Sequence, residues 1–239
     1  MDWSKLLQAR RFDSHASSSK ASGRDELSHT LFREDAFRVI SSTGFRRLQG
    51  KTQVYPFPVV DNLRTRLTHT MEVATVGQEL ARQIALKLNC RSDETKLAPE
   101  LNEDFQSIVY VACLCHDLGN PAFGHIGENA IQSWFTDAQF DFVKKSNKDI
   151  TSFDYLKFDG NAQSFRMITR LLGWREKGGM RLSLPVTASI IKYPYSWSKC
   201  YSNLANANKG VFEKGFPYEF EAKKNKFGFF MTIKRLQIF

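Results

Sequence analysis

Apolar residues recur at spacings of three and four along most of the chain up to Pro194, the pattern of helices with one buried face. From Leu31, LFREDAFRVISSTGFRRL carries Phe32, Ala36, Phe37 and Ile40 and, beyond a break, Phe45 and Leu48 on such a stripe. Pro56 and Pro58 then forbid a long helix and predict a loop or short hairpin. A second helix is expected from near Thr68 to about Leu88, with Val73, Val76, Leu80, Ile84 and Leu88 marking its face. Asp104 is a fair N-cap for FQSIVYVACLCHD, a segment apolar nearly all round and so expected to be buried until Gly119 and Pro121 stop it. Further helices are expected over Gly127–Phe135, over FDGNAQSFRMITRLL with Phe165, Ile168 and Leu172 on one stripe, and over 185–192.

The polar stretches divide the chain. Residues 13–30 are rich in Ser and poor in apolar side chains, so residues 1–30 are read as an N-terminal arm in which His15 and His29 are solvated. Residues 31–195 form the core, interrupted by a polar connection at 89–103 and a polar insertion at 141–152. Residues 196–239 make an irregular C-terminal segment without a convincing period.

Composition narrows the class. The chain is 42% hydrophobic and 25% charged, as soluble globular proteins are. No run approaches the roughly 18 apolar residues of a membrane span. The first residues lack the apolar core of a signal peptide, so the expected compartment is the cytoplasm. A formal charge of +9, from 34 Lys and Arg against 25 Asp and Glu, favours polyanionic partners: nucleic acid, phosphorylated metabolites or an acidic membrane surface. Arg46, Arg47, Lys51, Arg64 and Arg66 concentrate positive charge around the proline loop, where the plainer reading is a solvated basic face. Four cysteines make no disulfide framework. Cys113 and Cys115 before His116 raise the question of a zinc knuckle, but they sit in an apolar helical run and read better as buried thiols.

The chemistry concentrates in HDLGNPAFGHIGE, residues 116–128. His116-Asp117 is a hard-metal pair, and His125 and Glu128 stand one helical turn apart, which places two proton-handling groups on one face. With His69, at the first turn of its helix, His116 and Asp117 supply three of the ligands that a Mn²⁺ or Mg²⁺ ion would take. A buried aspartate also needs a counter-charge, which a bound cation provides. The start of the helix that follows would welcome a phosphate on its free N–H groups.

In its longer text the chain resembles the HD-domain phosphohydrolases, and within them the deoxyguanosinetriphosphate triphosphohydrolases (dGTPases). The matching stretches are FRRLQGKTQVYPF (45–57), RTRLTHTMEVA (64–74), HDLGNPAFGHIGENAI (116–131), FDGNAQSFR (158–166) and Lys192-Tyr193-Pro194. The resemblance implies an all-α fold, an HD-domain helical bundle. It implies a metal on His69, His116, Asp117 and a later Asp, and hydrolysis of a deoxynucleoside triphosphate to nucleoside and tripolyphosphate. Carried over residue by residue, it makes His125 and Glu128 the catalytic pair and Gln53 a sugar contact. Arg66, Asn161 and Lys192 become base or phosphate contacts. It also implies oligomers, of this chain alone or with homologues, and leaves single-stranded DNA as a possible effector.

The chain departs from that pattern after residue 159. No Asp follows Asp159, KKNKFGFF (223–230) still reads as family text, and MTIKRLQIF after it does not. The expectation is an incomplete bundle, truncated or frameshifted at its C-terminal end. Two other functions compete with an active hydrolase: an inactive nucleotide-binding or regulatory remnant, and a single-stranded nucleic-acid-binding protein.

Overall fold

In the computed structural model the described residues are 2–11, 28–54, 63–136, 158–173 and 179–192. The polar stretch 13–27 with His15, the Pro56–Pro58 loop, the insertion at 141–152 and the segment 196–239 lie outside them. The described residues are all-α: helices and short 3₁₀ turns, with no strand beyond two isolated bridges, Arg11 to Ser183 and Thr52 to Thr65. None of their helices is long and apolar enough to cross a membrane.

The helices are α1 (Trp3–Leu6), α2 (Ser28–Ile40), α3 (Thr43–Arg46), α4 (Arg66–Asn89), α5 (Asn102–Cys115), α6 (Gly124–Thr136), α7 (Gly160–Arg166) and α8 (Leu184–Ser189). The short α7 runs on into a π turn at Met167–Leu171. At the centre is α5, packed between α4, α2 and α8. Its Val111 and Leu114, with Leu118 beyond it, are wholly buried against Phe32, Val39, Leu48 and Val186. Each such side chain contributes about 1.5–3 kcal/mol by leaving water. Burial, with the Asp35 carboxylate nearby, drives the Cys115 thiol far above the usual thiol range. That residue is therefore an inert core group, as read from the sequence.

On two helices the expected face is only partly the buried one: Phe32 and Ala36 of α2 and Ile84 and Leu88 of α4 reach the core, and other expected positions do not. On α2 the buried positions are Phe32, Asp35 and Val39, while Phe37 is 71% exposed and Ile40 is also exposed. On α4 the buried positions are Thr70, Ala74, Ala81, Ala85 and Leu88, while Val76 and Leu80 are exposed. On α4 the reason is proximity: a Cβ at Gly77 would lie 2.7 Å from Cys113 Sγ. At that separation α5 accepts only small side chains, so the larger ones are turned away.

Boundaries also shift. A 3₁₀ turn at Pro99–Leu101 leads into α5, which starts at Asn102, so Asp104 is a buried first-turn residue and not the cap. Helix α6 starts at Gly124, three residues before the expected start, and takes His125 into its first turn. Residues 2–11, expected in an arm, carry Trp3, Leu6 and Leu7 into the core. There Trp3 Nε1 donates to the Thr95 carbonyl at 2.9 Å.

Candidate metal centre

A reciprocal cap sets the first candidate ligand, His69. Thr68 N–H donates to Thr65 Oγ1 (3.3 Å) and Thr65 N–H donates to Thr68 Oγ1 (3.0 Å), which starts α4 at Arg66. Arg66, His69 and Thr70 then share one face, at spacings of three and four, and that face looks toward the end of α5.

There α5 ends at Cys115, with His116 as its C-cap, and delivers the other two candidate ligands, His116 and Asp117. The His69, His116 and Asp117 ligand atoms all lie within 4.8 Å of one another, and the two imidazoles meet edge-on with centroids 5.5 Å apart. His116 Nδ1 stands 2.8 Å from the Cys113 carbonyl. A carbonyl only accepts, so Nδ1 carries the proton and Nε2 keeps its lone pair for an ion. Burial, followed by the neighbouring His116, holds the His69 pKa below its ordinary value, which keeps that imidazole neutral and able to ligate.

Asp117, 5% exposed, is gripped from two sides. Its Oδ2 accepts from Arg66 Nη1 at 2.8 Å, and its Oδ1 accepts from Asn120 Nδ2. Oδ1 also stands 3.4 Å from His116 Nε2, so it is the oxygen that faces the shared space. Two imidazole nitrogens and one carboxylate oxygen form a mixed N/O donor set that suits a divalent ion with coordination positions to spare.

The second pair lies on α6. Phe123 and Gly124 both take left-handed backbone angles (φ 67° and 54°) as the chain turns into that helix. A Cβ at Gly124 would lie 2.6 Å from Arg66 Nη2, so the bare backbone passes directly beside the guanidinium. One residue on, the exposed His125 places Nδ1 2.6 Å from Oε2 of the buried Glu128. Glu128 Oε1 accepts in turn from Gly160 N–H at 2.8 Å. With Nδ1–H given to the carboxylate, His125 Nε2 is left facing outward.

The sequence-derived site residues thus fall into two sets. His69, His116, Asp117 and Arg66 converge, and His125 and Glu128 pair beside them. Arg66, expected at base or phosphate, is ion-paired with Asp117. Gln53 is half-buried after α3, and its Oε1 is buried without a hydrogen-bond partner among the described residues. Asn161 stands in the first turn of α7, with its N–H held by Asp159 Oδ1 at 2.8 Å, and Lys192 is exposed after α8.

Three further residues support the site: Asn120 and Gly160, which the sequence reading did not single out, and Lys51, which it read only as part of a basic face. Asn120 orients Asp117, and Lys51 donates from Nζ to the Asn120 carbonyl at 2.6 Å. Burial, then Arg66 and Arg47, lowers the Lys51 pKa. Gly160 orients Glu128. The Gly-Asn-Pro break and the FDGNAQSFR stretch mark two of them as local features, but neither shows what it touches.

The pattern that defines the HD domain family matches residues 66–171. A deoxyguanosinetriphosphate triphosphohydrolase-like protein of Pseudomonas aeruginosa is 40% identical over 198 residues, which are 82% of this chain and 42% of that protein. One from Synechocystis sp. is 35% identical over 233 residues, 95% of this chain and 50% of its own length. A deoxyguanosinetriphosphate triphosphohydrolase of Yersinia pestis is 35% identical over 213 residues, 76% and 40% respectively. The chain spans half or less of the length of these relatives.

Proposed function

The chain belongs to the HD-domain family, in its deoxyguanosinetriphosphate triphosphohydrolase branch, and on that footing we propose that it hydrolyses deoxynucleoside triphosphates, dGTP first among them, to nucleoside and tripolyphosphate. The observation that carries the reading is the convergence of His69, His116 and Asp117 within 4.8 Å, with a proton-transfer pair on the adjoining helix.

His69 Nε2 or Nδ1, His116 Nε2 and Asp117 Oδ1 would hold the ion, Mn²⁺ or Mg²⁺. When bound, it supplies a Lewis acid for a phosphoryl oxygen. The reaction forms a bond from the α-phosphorus to a water oxygen and breaks the bond to the 5′ oxygen of the nucleoside. His125 Nε2 moves the proton, taking one from the attacking water or handing one to the departing oxygen. Glu128 holds the imidazole in the tautomer that leaves Nε2 free, and it stabilises the imidazolium once formed. Arg66 first neutralises Asp117. With Lys51 nearby it keeps the site electropositive toward a substrate of charge near four. Gln53 Oε1, without a hydrogen-bond partner among the described residues, suits a sugar hydroxyl donor, and Asn161 and Lys192 remain as base or phosphate contacts.

Incubation with each of the four deoxynucleoside triphosphates in Mn²⁺ should release tripolyphosphate, fastest from dGTP. His125→Ala should abolish turnover while bound Mn²⁺ stays at the wild-type level. Near-normal turnover in that variant would end the His125 assignment. Mn²⁺ binding with no tripolyphosphate from any of the four would replace hydrolysis with a nucleotide-binding role.

A further inference from the structure

One short helix touches both halves of the site. The Ser164 hydroxyl, on α7 and 1% exposed, accepts from Gly119 N–H at 2.8 Å and donates to the His116 carbonyl at 3.2 Å. Those are backbone groups at the two ends of the turn that carries Asp117. A Cβ at Gly119 would lie 2.0 Å from the Ser164 nitrogen, so the turn lies backbone to backbone on α7. Four residues earlier on the same helix, Gly160 N–H holds Glu128. A Cβ there would stand 2.0 Å from Asn120 Oδ1, the amide whose nitrogen orients Asp117. Asp159 pins the start of α7 by accepting from Asn161 N–H and Ala162 N–H, and Gln132 of α6 donates to the Phe158 carbonyl just before it.

We propose that Ser164 is a positioning residue: it holds the His116–Gly119 turn so that His116 and Asp117 keep their ligating geometry, and through α7 it fixes that turn relative to His125–Glu128. The role rests on the metal-centre reading above, but it is separable from turnover. A hydroxyl is required because the turn presents one donor and one acceptor, and only a group that both gives and takes a hydrogen bond satisfies the two at once. Partners that orient ligands from outside the coordination sphere affect metal affinity by about 10- to 100-fold when removed.

Mn²⁺ affinity of the full chain, followed by the electron paramagnetic resonance signal of free Mn²⁺, tests this without reference to catalysis. Ser164→Ala and the near-isosteric Ser164→Cys, whose thiol gives and takes only weak hydrogen bonds, should both bind Mn²⁺ about 10- to 100-fold more weakly, and Ser164→Thr, which keeps the hydroxyl, should bind close to wild type. Thr187→Val is the control for a purely structural loss. Its hydroxyl is equally buried and donates to the Ser183 carbonyl at 2.9 Å, away from the ligand trio. That variant should lower Tm and leave Mn²⁺ affinity unchanged. Should Ser164→Ala not fold, the Cys variant carries the test alone. Ser164→Cys binding like wild type, or Ser164→Ala lowering only Tm, overturns the positioning role and leaves the metal centre standing. A wild-type chain that takes up no Mn²⁺ overturns both.

Discussion

Arg66 and Asp117 are each 5% exposed and meet at 2.8 Å, with Arg66 Nε unsatisfied and buried among the described residues. Such a pair adds little net stability, yet removing one member strands the other without a counter-charge. Arg66→Ala should therefore cost about 3–5 kcal/mol, read as a lower denaturation midpoint in urea at unchanged m-value. The stranded carboxylate has a second possible counter-charge in the metal. Mn²⁺ should accordingly raise the Tm of Arg66→Ala by more than it raises that of the wild type. A variant as stable as wild type without metal would show that Asp117 does not depend on the guanidinium.

At the scale of elements, the face that α4 turns to α5 decides how closely the two helices approach, and hence where His69 meets His116. Gly77 is one close point, with Cys113 Sγ 2.7 Å from where its Cβ would be. Glycine inside a helix costs about 1 kcal/mol relative to alanine, so only the clash speaks against Gly77→Ala. Alone, that substitution should destabilise the chain by about 1–2 kcal/mol through overpacking. In a Cys113→Ala background it should stabilise by up to about 1 kcal/mol, because the sulfur is gone and the propensity gain remains. A double-mutant cycle in urea reads the coupling directly, and additive effects would mean that the helices separate without resistance.

At the scale of the whole molecule, three segments distant in sequence are tied at one buried carboxylate. Asp35, on α2 and fully buried, accepts from Arg11 Nη1 at 2.5 Å and from Ser183 N–H at 2.8 Å. Arg11 also donates to the Arg181 carbonyl at 2.7 Å, and Leu184 N–H donates to the Arg10 carbonyl at 2.7 Å. The N-terminal residues, α2 and the lead-in to α8 therefore close on one another around α5. Asp35→Ala leaves the Ser183 N–H without its acceptor and Arg11 with only Glu34 and the Arg181 carbonyl, and should cost about 1–3 kcal/mol, measured by thermal unfolding. The same variant should retain Mn²⁺ affinity below its Tm, since the Asp35 hydrogen bonds among the described residues run to Arg11 and Ser183 and not to the candidate ligand trio.

Much of this was legible in the residues themselves. Helical spacing located α2, α4, α5 and α8 to within a few residues, because a helix's period is a local property of the chain. The candidate donors His69, His116 and Asp117 were legible too, since the identity of a donor atom is written in its residue type. Which face each helix buries was legible only in part: Phe32 and Leu88 are buried as expected, while Val76 loses its expected place because α4 meets α5 at a distance no local pattern contains. The partner of Arg66 lies 51 residues away and those of Ser164 lie 45 and 48 residues away. Only the packing of α4, α5 and α7 brings these groups within hydrogen-bonding reach, and that packing turns three ligand types in a sequence into one centre.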